Sequence, residues 1–311
     1  MTETTPGASS AVTNEASPLV PFALVGAVLG ISISGPLVRL SHAEPLAIAV
    51  WRMGITLAIV ATALLATGTW RQYRTLAPRD LLAGAGAGLF LAMHLWSWIV
   101  SIGMTSVAAS VVLVNIHPIV VALGSAIWLG EKPTRRQLVG IAIALGGAAL
   151  LALGDARGGT SGTVNSGTRA LEGDTLAVFG AITVALYLLV GRRLRQKLDV
   201  WPYVTLVYGV CFTVLLAVAL AEGTALSHQP PRELAFFAAM AIGPTILGHT
   251  AYNWALRHVR AYVVSVTVLG EPIGATLLAA LIPSIAEIPG TLTLAGGGVI
   301  LAGILLTARR D

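Results

Sequence analysis

SVVLVNIHPIVVALGSAIWLGEKPTRRQLVGIAIALGGAALLAL, residues 110–153, decides the fold. Two apolar runs rich in Ala, Leu, Val and Gly flank the hydrophilic turn Glu131–Lys132–Pro133–Thr134–Arg135–Arg136. A helix needs about twenty apolar residues to cross a hydrocarbon core of roughly 30 Å. Outer-membrane strands are shorter and alternate apolar with polar residues. The stretch therefore reads as two membrane helices joined by a tight basic turn.

Working outward, comparable segments lie near 19–40, 45–67, 80–102, 104–129, 136–153, 174–192, 200–221, 233–256, 259–284 and 289–308. The expected fold is an all-α polytopic membrane protein with ten transmembrane helices. Composition agrees: 56% of the 311 residues are hydrophobic and 11% charged, against about 25% charged in soluble domains. Residues 1–18 carry Glu3 and Glu15 and no Lys or Arg, the wrong charge for a signal peptide, and read as a disordered cytoplasmic tail.

Lys and Arg accumulate in cytoplasmic loops, so the nineteen basic residues test the orientation. With both termini inside, fourteen fall on the cytoplasmic side: Arg71, Arg74, Arg79, Lys132, Arg135, Arg136, Arg192, Arg193, Arg195, Lys197, Arg257, Arg260, Arg309 and Arg310. Only Arg39, Arg157, Arg169 and Arg232 fall outside, and Arg52 lies within a span. The net charge of +5 thus encodes topology; dispersed as it is, it forms no nucleic-acid face.

The two halves repeat at an offset of 154 to 157 residues. Gly26 matches Gly180, Pro45 Pro202, Trp51 Tyr208, His94 His249, Ser110 Ser265, Pro118 Pro272, Pro133 Pro289, Gly140 Gly296 and Gly147 Gly303. The repeats run over 19–153 and 174–308, with a Gly/Ser-rich periplasmic linker at 154–173. Five spans per repeat is an odd number, so the copies are expected to be inverted. Inverted repeats that exchange conformations give alternating access to a midplane site.

The motifs around these matches resemble the EamA branch of the drug/metabolite transporter superfamily. The first copy carries a mid-helix Pro118, then Gly130–Glu131, then a Gly-rich helix. The second reads Ser265-VTVLG-Glu271-Pro272-IGATLLAALIPSIA-Glu287, where Ala286–Glu287 replaces Gly–Glu and two residues are added after the proline. The resemblance covers residues 19–308 and implies a bacterial inner-membrane exporter. Among branch members it looks most like exporters of amino acids, the aromatic-amino-acid type included. A multidrug or nucleobase exporter fits the same motifs, and a non-transporting membrane scaffold is the alternative from another class.

Other chemistries lack their residues. The one cysteine, Cys211, builds no disulfide or CxxC pair. No GxxxxGK[ST] phosphate loop and no HExxH zinc motif occurs. Gly84, Gly86 and Gly88 lie in a membrane helix and read as a packing seam. No catalytic residue, cofactor or metal is expected. The expected partners are a small organic solute and the lipid bilayer, and the chain is expected to act as a monomer.

Polar groups at membrane depth are expensive and are default site candidates. They are Arg52, His94, Asn115, His117, His249, Asn253 and Glu271. His94 and Trp98 share a helix face, as do His249 and Asn253. With Tyr187, Tyr252 and Ser34 they suit a solute with an apolar or aromatic body and a polar head. Trp96, Trp98, Tyr252 and Trp254 are equally at home in an interfacial belt. Pro118 and Pro272 each remove a backbone hydrogen bond and read as hinges or as static kinks. Glu271, the deep carboxylate, reads as a proton carrier or as the structural ion-pair partner of Arg52, the deep cation. The histidines leave proton coupling open. Glu131 beside Lys132, Arg135 and Arg136 reads as helix-end electrostatics.

Overall fold

A computed structural model describes residues 17–104, 110, 113–157, 168–281 and 290–309. Nearly all of the tail read at 1–18, the middle of the linker, and Ala286, Glu287 and Pro289 of the second motif lie outside them. The described residues form helices joined by turns and short loops, with no strand among them. Seven helices are long and apolar enough to span a membrane: Val20–Val38, Pro45–Thr67, Pro78–Met104, Arg169–Leu194, Val200–Ala221, Pro231–Ala255 and Thr291–Ala308. The other segments read from sequence correspond to the helix Arg135–Arg157 and the shorter apolar helices His117–Trp128 and Ala261–Ala275. Large apolar side chains such as Phe22, Leu65, Leu82, Ile127 and Leu305 face outward, where acyl chains replace water.

Four spans are less regular than their hydropathy suggests. The first breaks at Ile33, between the helices Val20–Ser32 and Ser34–Leu40. The helix His117–Trp128 begins at a turn through Asn115 and Ile116, with Pro118 in its first turn. A proline there forgoes only an amide that has no helical partner. The ninth span breaks in the same way at Leu269–Gly270, and Pro272 opens the helix Glu271–Leu281. Both matched prolines therefore start half-helices. The eighth span, Pro231–Ala255, contains a π-helical stretch, Ala241–Thr250, around Pro244. There the Thr245 and Thr250 hydroxyls donate to carbonyls five residues back, Met240 (3.1 Å) and Thr245 (3.0 Å). Helices also extend into the stretch read as linker, reaching Arg157 and restarting at Thr168.

Helices of the first half pair with helices of the second. Arg135–Arg157 packs on Thr291–Ala308, Pro78–Met104 on Thr168–Leu194, Pro45–Thr67 on Val200–Ala221, and Val20–Ser32 on the π-helical stretch. Shifting numbers by about 155 carries these pairings onto one another, as a twofold relation requires. Glycines set the closest approach. A Cβ on Gly296 would meet the Leu151 backbone nitrogen at 2.4 Å and the Gly147 carbonyl at 2.8 Å; one on Gly303 would meet Ala144 N at 2.4 Å and the Gly140 carbonyl at 2.6 Å. Gly140 faces Gly303 and Gly147 faces Gly296, so these two helices, matched in the repeat, run antiparallel. Gly54 against Phe212 and Leu57 against Gly209 give Pro45–Thr67 and Val200–Ala221 the same sense.

Candidate functional site

The half-helix breaks, the π-helical stretch and the middles of the other spans enclose a central cavity of about 60 Å³. That is room for a few waters, so a solute of metabolite size enters only as the helices move apart. Ser34, Arg52, His94, Trp98, Asn115, His117, Tyr187, His249, Tyr252 and Glu271 all line it, beside apolar Ile31, Leu95, Val184 and Leu188. Each half contributes. His117 and Glu271 occupy matched positions, one residue before the paired prolines.

His94 Nδ1 donates to the Gly180 carbonyl at 3.0 Å, and His117 Nδ1 donates to the Val114 carbonyl at 3.1 Å. A carbonyl only accepts, so in the neutral ring each Nε2 is left as an acceptor. His117 Nε2 and the Tyr252 hydroxyl are buried without a partner among the described residues. His249 packs edge-on to Tyr187 with centroids 6.4 Å apart. Arg52 is 2% exposed; its Nε donates to Thr245 Oγ1 at 2.8 Å and its Nη1 to Ser34 Oγ at 3.4 Å. It forms no salt bridge with Glu271, so the structural ion pair read from sequence is not made in this conformation. The hydroxyls of Thr245 and Ser34 hold the guanidinium instead.

Asn253 is not on the wall. Fully buried, it donates from Nδ2 to the Tyr187 hydroxyl at 2.5 Å and to the Tyr208 hydroxyl at 3.3 Å. Tyr208 in turn pairs with Thr250 at 3.1 Å. The π-helical stretch advances less rotation per residue than an α-helix, so the face on which Trp98 lies in the first repeat does not carry over residue by residue. Tyr252 reaches the cavity in place of Asn253. Pro118 and Pro272 are buried beside the wall and set the broken ends that carry His117 and Glu271. Thr245 and the π-helical turn were not read as functional from the sequence; Pro244 in mid-span was the available signal.

The end of the bundle bearing the basic loops is closed by bonds between the halves, through Arg192–Glu131, Lys197–Asp80, Gln72–Asp199 and Tyr73–Pro202, and by others within the second half. Arg192 pairs with Glu131 at 2.7 Å and donates to the Leu256 carbonyl at 2.6 Å. Lys197 pairs with Asp80 at 2.7 Å, and Arg257 with Asp199 at 2.5 Å. Gln72 donates to Asp199 at 2.6 Å, and Tyr73 to the Pro202 carbonyl at 2.6 Å. Arg195, 1% exposed, donates to the carbonyls of Asn253 (2.8 Å) and Leu198. Hydrogen bonding from Gln72, reinforced by Arg257, holds the Asp199 carboxyl below the usual carboxylate range. Burial pushes Tyr73 up to about 12 and Arg195 down to about 10. Glu131 thus does more than trim a helix end: it bridges the two halves. At the opposite end Glu233, which follows Pro231–Arg232 as Asp80 follows Pro78–Arg79, accepts from Ser41 at 2.5 Å and from the His42 amide at 3.2 Å.

Two copies of one helical bundle around a polar cavity at membrane depth define a multi-pass membrane transporter. The profile of the EamA-like transporter family matches residues 19–153 and again 171–309. The chain belongs to that family, within the drug/metabolite transporter superfamily, whose members are transporters and not enzymes. It is similar to the probable terminal-alkyne amino-acid exporter of Streptantibioticus cattleyicolor, 28% identical over 269 residues that make up 82% of each chain. It is also similar to the uncharacterized transporter YyaM of Bacillus subtilis, 25% identical over 225 residues, 70% of each chain. A solved crystal structure of a protein 18% identical matches with a TM-score of 0.75 over 93% of this chain and 96% of its own, which establishes likeness of fold.

Proposed function

We propose that the chain is a ten-span carrier of the bacterial inner membrane, with inverted repeats at 19–153 and 174–308 and both termini in the cytoplasm. It exports amino acids, aromatic ones included, and related small metabolites by alternating access. The observation that carries this reading is the central cavity, walled from both halves by His94 with Trp98 and by His249 with Tyr252. The antiparallel packing of repeat-matched helices supports the inversion. A relative named as an amino-acid exporter supports the substrate class. In this conformation the clamp of Glu131–Arg192, Asp80–Lys197 and Gln72–Asp199 shuts the cytoplasmic end. Admission of solute from the cytoplasm requires that clamp to part, with the half-helices at Pro118 and Pro272 as the pivots.

Counterflow into proteoliposomes tests the reading. Vesicles loaded with unlabelled phenylalanine should take up labelled phenylalanine saturably, with competition by other amino acids. His94→Ala and Trp98→Ala should each lower that uptake by about ten-fold without lowering the yield of monodisperse protein. Uptake unchanged in both variants would remove the cavity from the transport path. No uptake of aromatic, aliphatic or hydroxylated amino acids by the unaltered protein would remove the substrate class, and nucleobases and cationic drugs would be tried next.

A further inference from the structure

The cavity holds two opposite charges that do not meet. Arg52 spends Nε and Nη1 on the neutral hydroxyls of Thr245 and Ser34, and Nη2 takes no partner among the described residues. Glu271 engages only through its backbone carbonyl, which accepts from Ser32 at 3.2 Å; its carboxylate takes no partner there. Both side chains border the same cavity, yet no salt bridge within 4.0 Å joins them. A buried charge is tolerated when it is paired and hydrogen-bonded. Here the pairing groups are missing on both sides of a gap.

The other bare groups on that wall complete a pattern. The Tyr252 hydroxyl and His117 Nε2 are buried, without a partner among the described residues, and on the same cavity. Because His117 Nδ1 donates to Val114, Nε2 of the neutral ring offers a lone pair. The wall thus presents donors from Arg52 and Tyr252 and acceptors from Glu271 and His117. A free amino acid brings a carboxylate for the first set and three ammonium hydrogens for the second. An amine would leave Arg52 uncompensated, a carboxylic acid would leave Glu271 uncompensated, and a neutral ring would leave both.

We propose that Arg52 receives the α-carboxylate and Glu271, with His117, the α-ammonium of a zwitterionic substrate, so that the cavity selects amino acids over amines and acids carrying the same side chain. This rests on the amino-acid reading above and gives it a chemical basis. The substrate side chain then lies against Trp98, Leu95 and Leu188, the apolar part of the same wall.

The test is counterflow of labelled phenylalanine with no pH gradient, competed by phenylalanine, by phenethylamine, which lacks the carboxylate, and by 3-phenylpropionate, which lacks the ammonium. For the unaltered protein, phenylalanine should compete at least about ten-fold better than either analogue, the penalty of one unmatched charge contact. Arg52→Gln should abolish the preference over phenethylamine and keep that over phenylpropionate; Glu271→Gln should do the reverse. Equal competition by all three in the unaltered protein overturns the proposal, and that result stands even where a variant fails to fold. So does a variant that weakens all three alike while keeping their order. A Glu271→Gln protein with the original order that loses only accumulation driven by a pH gradient makes Glu271 a proton carrier and overturns its ammonium role. Absence of any amino-acid flux in the unaltered protein instead sinks the functional reading itself.

Discussion

Replacing Gly296 by alanine tests the packing of the two repeats at its tightest point. The new Cβ would lie 2.4 Å from Leu151 N, 2.7 Å from Leu151 Cα and 2.8 Å from the Gly147 carbonyl, all backbone atoms that no rotamer change can move. Ordinary contact begins near 3.4 Å, so the helices must part by about 1 Å, and a gap of that size forfeits a quarter to a half of each dispersion contact it opens. Overpacking of this kind costs about 1–3 kcal/mol, and the better helix propensity of alanine returns about 1 kcal/mol. The net loss is up to about 2 kcal/mol, a fall of up to about 8 °C in Tm at 2–4 °C per kcal/mol, and the gap to a glycine with open space around it is the full overpacking cost of about 1–3 kcal/mol. Gly298, two residues along the same helix, has nothing within 4 Å, so Gly298→Ala should be neutral or raise Tm slightly. Gly147→Ala and Gly146→Ala repeat the contrast on the facing helix, where Gly147 meets Ile300 N at 2.6 Å and Gly146 meets nothing. Tryptophan-fluorescence melts of detergent-purified protein decide it. Equal melting of Gly296→Ala and Gly298→Ala would refute the close backbone approach and the antiparallel register drawn from it.

Asn253→Ala should lower transport affinity and cost about 1–3 kcal/mol of stability, because two buried tyrosine hydroxyls, Tyr187 and Tyr208, lose a donor; unchanged melting and uptake would show that Asn253 does not position the wall. Glu131→Gln should leave melting within about 1 kcal/mol, since both partners are partly exposed (14% and 17%) and screened. It should nonetheless speed labelling of a cysteine placed at Leu188 from the side that bears the basic loops by up to about five-fold, in a Cys211→Ser background; no change would remove Glu131–Arg192 from the closure. The carboxyl of Asp199 is depressed in the folded protein, so its contribution is complete above the unfolded carboxylate value of about 3.9 and disappears as pH falls through the lower folded value. Asp199→Asn should therefore melt lower than the parent at pH 7 and match it in strong acid; a difference that persists unchanged in acid would show that the carboxylate charge is not what Arg257 and Gln72 hold.

The cavity wall was legible because polar side chains are scarce at membrane depth. Arg52, His94, Asn115, His117, His249 and Glu271 stand out against apolar neighbours, and each lines the cavity. Periodicity placed Asn253 with His249 but carried no trace of the π-helical turns that bring Tyr252 round instead. The prolines marked the right positions in the fourth and ninth spans, although the chain there starts new half-helices rather than bending continuous ones. The clamp at the basic end was not readable. Counting Lys and Arg assigns a side of the membrane, whereas Asp80, Asp199 and Gln72 find their partners 117 to 127 residues away through tertiary packing alone.

The glycine contacts between Arg135–Arg157 and Thr291–Ala308 carry a consequence for ancestry. Gly140 against Gly303 and Gly147 against Gly296 are one contact seen from its two sides, because Gly140 matches Gly296 and Gly147 matches Gly303. Such a surface is isologous. A half-length chain inserted into the membrane in both orientations would bury this patch against a copy of itself, and a single substitution in it would be felt twice. Fusing the two copies freed each glycine to vary alone, and it left the His117 and Glu271 positions free to carry different chemistry on either side of one cavity.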